Sequence, residues 1–140
     1  MNVTKLNFKH VYPKIFDVLK NCDYISLDLE FSGTRVNKNL INTKYDSEEL
    51  RFFKIQENIK KFTPLQLGLC GFKLLQSSVQ FYPMNFYIFP YSNDFLDKKY
   101  LFDINSVNFL MSNSFDFNKI FYDGIRYVSL HDYEKNKEFF

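Results

Sequence analysis

The chain contains no tryptophan and no alanine, and only four glycines, four prolines and two cysteines among 140 residues. Cys22 and Cys70 stand far apart with no C-x-x-C spacing. That excludes a zinc-finger pattern and points to free thiols in a reducing compartment, cytoplasmic or nuclear. No apolar run approaches the ~18 residues that cross a bilayer, so no membrane span is expected. The opening MNVTKLNFKH lacks a long apolar stretch and does not read as a secretory signal. Strong charge of one sign is also missing. Lysine and arginine number 18 against 16 acids, a net of +2, short of the clustered basic excess that announces nucleic-acid binding by charge alone.

What the chain does have is apolar and aromatic mass. Hydrophobic residues make up 46% and aromatics 20%, which excludes intrinsic disorder. Phe, Tyr, Lys, Asn and Ile share AT-rich codons, so the aromatic excess is not counted as evidence for base stacking. The length suits a single domain over residues 1–140 with a real core.

Val11, Ile15, Val18 and Leu19 recur on one face of a helix, with Pro13 expected in its first turn and Asn21 as its stop. Residues 23–31 alternate strictly. Ile25, Leu27, Leu29 and Phe31 face one way and Tyr24, Ser26, Asp28 and Glu30 the other, which predicts a strand. An Asn-rich loop over 35–45 leads to a helix capped by Asp46 or Ser47 that runs through Lys61. Strands are expected over 65–75 and 85–89, the second ended by Pro90, with a loop over 91–101. A short helix from Ile104 or Ser106 to Asn113 follows, with Val107, Leu110 and Met111 as its buried stripe. Asp116 or Asn118 begins a further turn, and the charged tail from Asp132 could start a last helix. The order helix, strand, helix, strand, strand, helix is an α/β layer arrangement.

The chemistry centres on Asp28 and Glu30. Two residues apart on a strand, they share a face with Cα atoms roughly 6–7 Å apart. Their carboxylates can converge on one hard divalent cation such as Mg²⁺. In two-metal nucleases the ions sit about 3.5–4 Å apart, one preparing water and one stabilising the leaving oxygen. A lone D-x-E on an amphipathic strand more often faces solvent. Here Phe31, Ser32 and Gly33 follow at once, and small residues let the backbone approach a ligand closely.

The segment D-Y-I-S-L-D-L-E-F-S-G at 23–33 resembles the first exonuclease motif of the poly(A)-specific ribonuclease family. N-F-K with its following helix, P-L-Q-L-G-L-C-G-F-K at 64–73, N-F-Y-I-F-P at 85–90 and F-D-F-N-K-I-F-Y-D-G-I-R-Y at 115–127 resemble that family's segments in the same order. The resemblance implies a ribonuclease H-like exonuclease fold, a mixed sheet with flanking helices, present as its N-terminal portion. It implies a metal-dependent 3′-exonuclease of the DEDD type that shortens poly(A) tails with two Mg²⁺ ions and releases 5′-AMP. Asp28 would bridge the metals and Glu30 would bind one. Phe31, Ser32, Gly33 and Thr34 would line the pocket of the terminal nucleotide. Thr34 stands where the family usually has an apolar residue, which alters the expected contact.

The family's site also needs two further aspartates and a histidine from later motifs, which this chain is expected to lack. Asp116 lies in a block that precedes the second motif and takes no catalytic role. The surroundings of His131, S-L-H-D-Y-E, do not match the motif that carries the histidine, and His10 reads as a surface residue. Two accounts therefore stand open: part of a deadenylase, or a non-catalytic RNA-binding or scaffold protein derived from a nuclease. RNA with a 3′ poly(A) tail is the implied partner, and a homodimer or a complementing chain would complete the site. Lys60-Lys61 and Lys98-Lys99 read as solvated charge, and Phe86, Tyr87 and Phe89 as core.

Overall fold

The computed structural model describes residues 1–36, 38–92 and 98–139. Their contacts gather into two compact units, one of Met1–Glu30, Leu65–Tyr91 and Asp116–Phe140, the other of Phe31–Pro64 and Ser92–Phe115.

The first unit is a mixed sheet with helices. Its elements are β1 (Asn2–Val3), α1 (Phe8–Asn21), β2 (Tyr24–Phe31), β3 (Pro64–Leu74) and β4 (Val79–Pro90), then α4 (Phe117–Asp123), β5 (Ile125–Tyr127) and α5 (Leu130–Lys135); the helices numbered between belong to the second unit. The strand order is β1-β4-β3-β2, with β5 also on β4. β3 and β4 form a long antiparallel hairpin, from Gln66 opposite Tyr87 to Leu74 opposite Val79. β1 and β5 join β4 in parallel.

Alternation along these strands divides the sheet into two faces. Val3, Met84 and Phe86 turn to one side and bury themselves with Ile15 of α1. Full burial of each such side chain stabilises the fold by roughly 1.5–3 kcal/mol. Gly71 lies on this face as well, and a Cβ there would fall 2.3 Å from Sγ of Cys22. The chain enters α1 through Asn7, whose amide accepts from the Thr4 N–H and donates to the Asn2 carbonyl.

The second unit holds α2 (Glu48–Ile59), α3 (Ile104–Ser112) and a 3₁₀ turn over Lys38–Leu40. Ser47 caps α2 by accepting from the Leu50 N–H, and Asp103 caps α3 by accepting from the Asn105 N–H. Asn58 is buried and clamps the loop before α2. Its Oδ1 accepts from the Val36 N–H at 2.8 Å and its Nδ2 donates to the Leu40 carbonyl at 3.1 Å.

Three expectations need correction. Pro13 is the sixth residue of α1 rather than part of its first turn. It is exposed, and it deprives the helix of one backbone bond there. β4 begins at Val79, six residues before the expected start, because the hairpin pairs Phe81 with Phe72 and Gln80 with Lys73. Met111 is 60% exposed while Leu110 is buried, so the packed stripe of α3 runs through Leu110 and not Met111. The expected loop over 91–101 lies partly outside the described residues. Phe86 and Tyr87 are core, as expected.

Candidate active site

Asp28 and Glu30 are consecutive outward positions of β2, on the side of the sheet away from α1. The side is set by Gly68 on β3: a Cβ there would stand 3.7 Å from Cβ of Asp28 and 3.8 Å from Oδ1 of Asn85. Asn85 pairs with Gly68 across the hairpin and with Asn2 of β1. Asp28, Gly68, Asn85 and Asn2 thus form a polar row across four strands. Gly68 itself puts no side chain between Asp28 and Asn85.

Asp28 is exposed and Glu30 is half-buried. Partial burial pushes the Glu30 carboxyl above its usual range, and the neighbouring charge of Asp28 pushes it the same way. Two hard oxygen ligands on one rigid strand, one of them destabilised in its charged form, suit a divalent cation. Asp28 and Glu30 are the residues that would hold it. Among the described residues no group of three or more His, Cys, Asp or Glu gathers that could hold a metal ion.

The four residues after Glu30 belong to the second unit. Phe31 is half-buried and Thr34 exposed. Ser32 is fully buried; its hydroxyl donates to the Leu101 carbonyl at 2.7 Å and accepts from the Thr63 N–H at 3.1 Å. Gly33 packs on the ring of Phe62, where a Cβ would meet ring carbons 2.2–2.8 Å away. Ser32 and Gly33 therefore shape the backbone of their own unit.

Asp116 caps α4 by accepting from the Lys119 N–H, and that bond holds its carboxyl below the usual range. His10 and His131 are exposed on α1 and α5. Sequence reasoning passed over Asn85 and Lys119. A polar residue at an alternate position of the apolar run N-F-Y-I-F was the available signal for Asn85. Nζ of Lys119 sits 5.5 Å over the ring of Tyr87, a contact no linear pattern shows. No helix among the described residues is long and apolar enough to cross a membrane.

The fold is shared with a solved structure of S. pombe Pop2p in its Mg²⁺- and Mn²⁺-bound form. The match has a TM-score of 0.63 at 18% identity and covers 89% of this chain and 47% of that one. The α/β arrangement is therefore ribonuclease H-like. The poly(A)-specific ribonuclease PARN of Xenopus laevis is 33% identical over 135 residues, covering 92% of this chain and 21% of the relative. The human protein of the same name is 30% identical over 144 residues, covering 99% and 22%. The 3′-5′ exoribonuclease parn-1 of Caenorhabditis elegans is 31% identical over 133 residues, covering 95% and 23%. The chain spans about a fifth of the length of these relatives. The CAF1 family ribonuclease model matches residues 3–140. The chain belongs to the CAF1 family of ribonucleases.

Proposed function

We propose that this chain supplies the first half of a divalent-metal-dependent 3′-exoribonuclease site that acts on poly(A) tails. The observation that carries the reading is the shared face of Asp28 and Glu30 beside Gly68, which puts no side chain between Asp28 and Asn85. A bound divalent ion supplies Lewis-acid stabilisation of the scissile phosphate and an activated water. Asp28 is exposed at the strand face. Glu30 reaches its charged form only against its surroundings, which favours pairing with a cation over solvation. Phe31 and Thr34 are proposed to contact the terminal nucleotide, because the side chain of Ser32 is already engaged inside its unit. Further ligands would come from residues beyond those described or from a second chain.

A second reading is RNA binding without hydrolysis. It needs no ligand beyond Asp28 and Glu30, and among the described residues no group of three or more His, Cys, Asp or Glu gathers. Incubation with an oligonucleotide ending in a 3′ A-tail and Mg²⁺ separates the two. Release of 5′-AMP supports the exonuclease. Retention of the oligonucleotide without release supports the binder. Failure to bind or cut overturns both.

A further inference from the structure

The side of the sheet that carries Asp28 also carries two cations at its other edge. Alternation places Asn85, Tyr87 and Phe89 of β4 on the Asp28 side, since the intervening Phe86 and Ile88 pack with α1. Lys119 of α4 stands 5.5 Å over the Tyr87 ring, and the Arg126 guanidinium of β5 stands 4.9 Å over the Phe89 ring. Arg126 is paired with Phe89 in the parallel ladder, so the two share a face. Ile125 before it packs with the α1 core, which confirms the side.

Both cations remain available to a ligand. Arg126 is exposed and makes no ion pair among the described residues. Lys119 is 42% exposed and touches Asp116 at 3.3 Å, an exposed pair worth little. Stacking on an aromatic ring fixes the direction of each charge without neutralising it. β4 lies two strands from β2 and β5 three, about 10 and 14 Å at ~4.8 Å per strand. Acids at one edge and aligned cations at the other, with the uncharged Asn85, Gly68 and Gln66 between, suit a polyanion whose reacting end lies at the acids.

We infer that Lys119 and Arg126 are phosphate-contact residues that position a single RNA strand across this face. The inference rests on the RNA reading above and extends it to a path for the strand. Positioning residues of this kind act on affinity and its salt dependence, with no sequence preference.

The test is fluorescence anisotropy of a labelled oligoadenylate with the whole chain over a series of salt concentrations. Single strands lose about 0.7 in the log–log slope for each phosphate contact removed. The double variant Lys119→Met/Arg126→Met is expected to bind several-fold more weakly at low salt, with a slope shallower by about 1.4. Lys119→Arg/Arg126→Lys, which keeps both charges, is expected to retain the slope. Lys9→Met, on α1 behind the sheet, is the control and leaves it unchanged. Circular dichroism checks the fold, and Lys119→Gln/Arg126→Gln replaces the methionine pair if that pair unfolds. An unchanged slope in the neutralised variant overturns the inference while leaving RNA binding intact. An unsubstituted chain that binds no oligoadenylate overturns the RNA reading and the inference with it.

Discussion

Asp28 lies against Gly68, whose missing Cβ would otherwise stand 3.7 Å from the aspartate Cβ. That separation is ordinary van der Waals contact, so one methyl group fits. Gly33 is different: a methyl group there would overlap the buried ring of Phe62. Gly68→Ala is expected to change stability by no more than about 0.5 kcal/mol, and Gly33→Ala to cost about 1–3 kcal/mol through overpacking. Urea unfolding of the two variants measures the difference. Equal costs would show that the two glycines are not distinguished by their surroundings.

The Glu30 carboxyl is raised by partial burial and by Asp28. Its protonated form is therefore favoured in the folded state. The stability linked to Glu30 is fully present below its unfolded value of about 4.5 and is lost as pH rises through the raised folded value. Glu30→Gln removes that loss. The variant is expected to be more stable than the parent at pH 7 by a few tenths of a kcal/mol, with the advantage gone at pH 4. Thermal unfolding at both pH values tests this, and a variant less stable at pH 7 would contradict the sign.

Asp46 in the second unit has the opposite sign. Lys54 bonds its carboxylate at 2.7 Å, and the Thr43 N–H and hydroxyl each donate to it at 2.8 Å. These bonds, the one from Lys54 first, lower it to about 2. Its contribution is present above the unfolded value of 3.8 and is lost as pH falls from there through about 2. Asp46→Asn is expected to flatten the acid-unfolding curve in that window and to leave the curve above pH 5 parallel to the parent's. Acid titration followed by circular dichroism gives the comparison, and an unchanged curve between pH 4 and 2 would contradict the assignment.

Much of this was legible in the sequence, for a physical reason. β2 is read from its period of two, and the same period places Asp28 and Glu30 on one face. Ser47 and Asp116 were among the caps that side-chain chemistry offered, whereas Asp103, the cap of α3, was passed over. The first six residues of β4 were missed because Val79 to Met84 carry a proline and polar residues. Their strand character comes from the partner strand, Phe81 on Phe72 and Gln80 on Lys73. β1 and β5 are two and three residues long and exist only through parallel pairing with β4. Asn85 and Lys119 join the acid face through register and helix docking, neither of which leaves a local periodic trace. Ser32 and Gly33 read as ligand-approaching residues, yet their buried bonds and ring contact lie within their own unit.

Asp28 and Glu30 together are proposed to hold a divalent cation. Titration of the chain with Mn²⁺, followed by electron paramagnetic resonance of the free ion, tests it without requiring turnover. The unsubstituted chain is expected to bind the ion, with at least a tenfold loss, about 1.4 kcal/mol, in the Asp28→Asn/Glu30→Gln variant. Equal Mn²⁺ uptake by the two proteins would contradict it.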